Sequence, residues 1–416
     1  MIVAWALLAC TAEPEAPPPA APAPPPPPVA PVTVWTAQNV QELVPAAPKE
    51  ARKVARPIPP LPAYDTTLQE LGHVVERYAG DPDNPWAVAH GILARGASFR
   101  LTDGREAIPH LFATYAEPRA AGALTLVGFP RSRGEIRVEP HTDLLLKNMG
   151  EAGVAPDATF PSAQGTSSVA DLYRWTLLKT YLEPRSNHSS YDSPNDVPWG
   201  LQALAQWAPP GELQWVAVDG TPMDLDDLTD FAVTVLAKES GFLAEAMAKG
   251  QKFEKAGQGV FKYTCGGAHL LQGASYAVAR GYGSPKGRQL MAAQAAIQLY
   301  RLPIELAIYD EATKRNPKHK TRLLVQRMKF LGHFLESTAK LEALGFYSPD
   351  DAQLRLIEGA AQNLALTVEA LKRQGTFDHM EELRKEDEQL YLDVVGDAAH
   401  AVRGLELALG RGSIGL

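Results

Sequence analysis

Six short segments, each carrying a Pro, Trp, Cys or His at what reads as a helix start, recur along this chain at a near-constant interval. They are Pro85-Trp86, Pro140-His141, Pro198-Trp199, Cys265-Gly266-Gly267, Pro317-Lys318-His319 and Asp378-His379. With Trp86, His141, Trp199, Cys265, His319 and His379 as markers, the steps are 55, 58, 66, 54 and 60 residues. Such a period holds one helical hairpin plus its loops. Six stacked hairpins that close on themselves enclose a central cavity, with the markers gathered near one rim. The interval therefore predicts an all-α body, an (α/α) toroid of about six hairpins over residues 64–416.

Local patterning agrees. Leu68, Leu71, Val74 and Val75 fall at helical spacing before the breaker Asp81-Pro82-Asp83-Asn84-Pro85. Trp86 to Leu93 restarts a helix, with Pro85 suited to a first turn. Further helices are expected at about 141–152, 167–182, 199–207, 225–249, 267–282, 286–313, 319–344, 350–374 and 379–410, the last with a break near Gly396. Two short strands around Arg131-Ser132-Arg133-Gly134 predict a small β excursion near 122–138. The small residues after Trp199 and Cys265 suit crowded inner helices. The stretch from Lys318 to Leu344 carries its charges on one face and reads as an outer helix.

The amino terminus has a different character. Met1 to Cys10 is an apolar run too short to span a bilayer, and residues 1–10 read as the end of a secretory signal. Leu7-Leu8-Ala9-Cys10 resembles the lipobox of bacterial lipoproteins. The resemblance implies acylation of Cys10, attachment to the membrane through that lipid, and, with Thr11 next, the outer membrane. Residues 11–63, Pro- and Ala-rich with the run Pro24 to Pro28, read as an extended, disordered tether. With Cys10 acylated, Cys265 is the one thiol left and no internal disulfide is expected. The net charge of −8 lacks the basic face that nucleic acid requires.

Three constellations can carry chemistry. Trp86 and His90 lie four apart, as do Cys265 and His269, and such pairs share a helix face. Tyr263-Thr264-Cys265-Gly266-Gly267-Ala268-His269 resembles loops in the zinc-bearing helical toroids of protein prenyltransferases and lanthionine cyclases. That resemblance implies zinc on Cys265 and His269. Tyr263 stands where prenyltransferases need an acidic residue, and the second Cys of the cyclases is missing. A buried thiol beside packing glycines is the plainer reading, with no cofactor.

The polar loop from Asn187 to Trp199 holds His188, Asp192 and Asp196. It is similar to the carboxylate, imidazole and aromatic sets of saccharide-processing (α/α)6 barrels, or is simply a loop with Asp196 capping the next helix. In Glu139-Pro140-His141-Thr142-Asp143, His141 and Asp143 form a possible base and orienter, although Asp143 suits a helix N-terminus better.

Two functions stay open, the first preferred because no recognised catalytic motif is present. One is a lipid-anchored envelope protein whose cavity binds an envelope component or a partner protein, through Trp86, His90 and Trp199. The other is an envelope enzyme, a saccharide hydrolase or lyase, in which His141, His188, Asp192, Asp196 and His269 supply proton transfer. A deep polar pocket at the shared mouth favours the enzyme; a cavity filled by Leu and Ala favours the binder.

Overall fold

The computed structural model describes residues 32–48, 50–186 and 188–416. The signal segment with Cys10, and the tether as far as residue 31, lie outside the described residues. Among these residues the chain is mainly α-helical. The helices are α1 (Pro62–Val74), α2 (Pro85–Arg95), α3 (Ala107–Tyr115), α4 (Leu144–Glu151), α5 (Val169–Lys179), α6 (Val197–Trp207) and α7 (Leu225–Ala248). They continue as α8 (Ala268–Ala279), α9 (Pro285–Arg315), α10 (Lys320–Ala343), α11 (Asp351–Arg373), α12 (Met380–Glu386) and α13 (Glu388–Ala408). None is long and apolar enough to cross a membrane.

Six of these helices form a cycle of neighbours. α2 packs on α4, α4 on α6, α6 on α8, α8 on α10, α10 on α13, and α13 returns to α2. Of the others, α5 and α7 lie against α6, α9 and α11 against α10, α1 and α12 against α13, and α3 against α2. Small residues set the close approaches. A Cβ on Gly404 would stand 2.5 Å from the Gly332 carbonyl oxygen, and one on Gly273 2.5 Å from that of Pro198. α10 and α13 therefore touch backbone to backbone, as do α8 and the start of α6.

The helix starts are set locally. Asn84 Oδ1 accepts from the Ala87 amide at 3.1 Å and Pro85 takes the first turn of α2. Ser168 and Asp171 form a reciprocal cap on α5, and Asp350 and Gln353 do so on α11. The expected break in the last helix falls at Asp387, whose carboxylate caps α13, instead of at Gly396. Gly396 lies mid-helix, where a Cβ would meet the Trp86 ring at 2.7 Å.

The β excursion is present as two hairpins, Glu117–Ala121 with Leu124–Gly128 and Ser132–Arg133 with Ile136–Arg137. Further hairpins, Thr159–Ser162 with Gly165–Ser168 among them, sit in other inter-helix loops that carry no strong sequence signal.

Packing begins at residue 33, well before Tyr64. Val34–Trp35 pairs in parallel with the strand Gln214–Val216, and Ala51–Arg52 pairs antiparallel with Ile414–Gly415. The Ala46 amide donates to the Trp207 carbonyl, the Ile58 amide to that of Ala408, and the Arg56 amide to Glu342 Oε1, each at 2.9 Å. This strap thus covers the C-terminal ends of α6, α10 and α13 and satisfies orphan helix carbonyls there. The second half of the expected tether, residues 33–63, is part of the folded body.

Candidate functional site

At the opposite end of the ring helices lies a cavity of about 330 Å3. α2 brings Trp86 and His90 to it, the turn before α4 brings His141, and α6 brings Trp199. Thr264 and Cys265 come from the turn before α8, His269 from α8, Lys329 and His333 from α10, and Asp393, Asp397 and His400 from α13. Four of the six markers therefore meet. His319 and His379 do not: both are exposed, at the starts of α10 and α12.

His141 lies flat on Trp199, ring centres 4.2 Å apart and planes 1° from parallel. Its Nδ1 sits 3.4 Å from Asp196 Oδ1, and Asp196 also accepts from Arg131 at 3.3 Å. Asp196 is thus the orienter of His141, and its side chain does not cap α6. Asp143 has no part in this. Its left-handed backbone, φ 64°, turns the carboxylate to Thr176 Oγ1 at 2.7 Å and Lys179 Nζ at 2.6 Å. Glu139 caps α4 instead, accepting from the Leu145 amide at 2.9 Å.

Two candidates stand outside the cavity. His188 is on a half-exposed hairpin, bonded to Asp219 at 2.6 Å and stacked on Tyr181. Asp192 is 67% exposed and paired with Arg131. Both are held by local surface partners, because the loop folds outward and turns inward only at Asp196.

Trp199 lines the cavity but is only 2% exposed, with His141 stacked on it and the His269 ring 4.6 Å from it, so little of its ring is free to stack on a sugar. Its Nε1–H is buried without a partner. Trp86 packs on His90 with ring centres 4.1 Å apart, and His90 Nδ1 bonds the Trp86 carbonyl at 2.7 Å.

Cys265 is not on a helix. It opens a run of left-handed residues, φ 55° at Cys265, 62° at Gly266 and 81° at Gly267. A side chain in that region is disfavoured by about 1–2 kcal/mol against glycine. The turn keeps its thiol nonetheless and delivers it to the cavity beside His269.

α10 holds the residues that sequence reasoning placed on the wrong side. Lys329, His333, Glu336 and Lys340 follow at steps of four, three and four and form one stripe. That stripe faces the ring interior: His333, Glu336 and Lys340 are at most 3% exposed. Glu336 Oε1 accepts from Lys340 Nζ at 2.7 Å and Glu336 Oε2 faces His400 Nδ1 at 2.8 Å. Lys340 also reaches Glu151 at 2.8 Å, and Glu151 meets Lys147 at 2.6 Å. A buried ionic column thus lies among these helices beneath the cavity. Burial alone would raise the Glu336 carboxyl, yet Lys340 and His400 hold it well below the usual range.

Burial disfavours charge on three of the imidazoles at the cavity. Burial pushes His90 down to about 3, helped by His400, and drives His269 and His333 well below the ordinary histidine value. Burial raises the Cys265 thiol and the Asp397 carboxyl. Both ring nitrogens of His333 are buried without a hydrogen-bond partner from the protein, as are both side-chain polar atoms of Gln206.

Two sets of side chains can close on a metal ion. The ligand atoms of Cys265, His269 and His333 all lie within 4.8 Å of one another, as do those of His333, Glu336 and His400. A scan against known protein families and searches of characterised proteins and solved structures find no match for this chain.

Proposed function

We propose that this chain is an enzyme of the bacterial cell envelope, a hydrolase or lyase, with its catalytic centre at the mouth of an (α/α) toroid. The cycle of α2, α4, α6, α8, α10 and α13, backed by the remaining helices, supports the toroid reading. The lipobox-like Leu7-Leu8-Ala9-Cys10 supports a lipid anchor in the outer membrane. For the anchor, a Cys10→Ser variant is expected in the soluble fraction, and one that stays with the membrane contradicts it.

The observation that carries the catalytic reading is His333. A buried imidazole with no partner destabilises a fold by about 1–3 kcal/mol, and here it stands in the wall of a cavity fed by six helices. A cavity for passive binding of an apolar component calls for Leu and Ala in these places. Two imidazoles in the same wall are each oriented by a carboxylate, His141 by Asp196 and His400 by Glu336. One such pair can take a proton while the other returns one, the division of labour that hydrolysis and elimination need. With Trp199 only 2% exposed, substrate recognition rests on polar contacts and not on stacking against that ring.

The test is product release. Purified full chain is incubated with isolated envelope polymers, and the soluble fraction is analysed by mass spectrometry. Fragments are expected, formed on the order of 100-fold more slowly by His141→Gln or His400→Gln. Retention of the protein on the polymer with no fragments would overturn catalysis in favour of passive binding.

A further inference from the structure

From the geometry of the mouth we infer a zinc site made by Cys265, His269 and His333, with its fourth position open to the cavity. It shares the cavity assigned to catalysis but needs no turnover, so the two readings are tested apart.

Three observations converge. The thiol and two imidazoles already approach within 4.8 Å of one another, although they come from a turn, α8 and α10. Around a tetrahedral zinc, with about 2.3 Å to sulfur and about 2.0–2.1 Å to nitrogen, they close to roughly 3.3–3.6 Å. Shifts on the order of 1 Å at the side-chain ends suffice. Second, His333 is 3% exposed and neither nitrogen has a partner, so a ligand acceptable to neutral imidazole is what the position lacks. Third, the thiol is held on a left-handed backbone where glycine, present at the next two positions, is the easier residue.

A carboxylate stands near enough to serve as second shell. His333 Nδ1 lies 3.8 Å from Glu336 Oε2, beyond hydrogen-bond distance; with Nε2 on the metal, that carboxylate would close on Nδ1 and fix the tautomer. Sulfur plus two imidazoles suits zinc over the hard cations. The competing set, His333 with Glu336 and His400, is weaker. Glu336 already holds Lys340 through one oxygen and His400 through the other. On binding, Cys265 releases its thiol proton to solvent and ligates as thiolate.

The experiment uses the full chain, loaded with zinc, dialysed free of excess and analysed for metal. One equivalent is expected in the wild type and in His400→Gln, and none in Cys265→Ser or His333→Ala. Circular dichroism and melting check that the variants fold. Cobalt(II) in place of zinc is expected to show a thiolate-to-metal charge-transfer band that Cys265→Ser lacks. No metal in the folded wild type overturns the site. Metal kept by Cys265→Ser but lost by His400→Gln overturns the ligand set.

Discussion

Lys340→Met is expected to lower the unfolding free energy by about 3–5 kcal/mol, the usual loss when one partner of a buried ion pair is removed. Lys340 is 1% exposed and its ammonium meets both Glu151 and Glu336. Methionine fills the volume but leaves Glu336 facing only His400, while Glu151 keeps Lys147. For a protein whose total stability is on the order of 5–15 kcal/mol, such a loss is a large fraction. Adding Glu336→Gln to the Met variant removes the stranded charge and is expected to recover about half of it. Urea denaturation of the wild type, the single and the double variant measures both numbers. A single-variant loss under about 1 kcal/mol would mean that the column behaves as a solvated surface pair.

His333→Leu is expected to act in the opposite direction. Leucine occupies similar space and carries no polar atoms to bury. With metal removed by a chelator, the variant escapes the penalty of two unpaired ring nitrogens and gains stability by about 1–2 kcal/mol. Most buried-site substitutions destabilise, so the sign itself is informative. A stabilising change at the wall of a polar cavity identifies a side chain that the fold tolerates for another purpose.

The helical content and the shared cavity were partly legible in the marker spacing, because α2, α4, α6 and α8 each bring their start to that cavity, so Trp86, His141, Trp199 and Cys265 mark it directly. α10 broke the pattern. It reaches the cavity well after its first residue, and its cavity-facing positions are Lys329 and His333, not His319. Its stripe of Lys329, His333, Glu336 and Lys340 has the spacing of any amphipathic helix, and periodicity cannot say which side of such a stripe meets solvent. Only the closing contacts with α13 decide that. The strap of residues 33–60 was hidden for another reason. It docks through backbone amides at Ala46, Arg56 and Ile58, and a Pro- and Ala-rich composition carries no sign of such bonds. Asp196 was legible as a candidate but not as the partner of His141, because that contact joins residues 55 apart.

The most direct measurement is thermal or urea unfolding of metal-free wild type and metal-free His333→Leu under identical conditions. A variant more stable than the wild type is the outcome required if His333 is kept at the mouth for a purpose other than packing. A variant less stable than the wild type would make His333 a packing residue, and the cavity a polar core with no catalytic purpose.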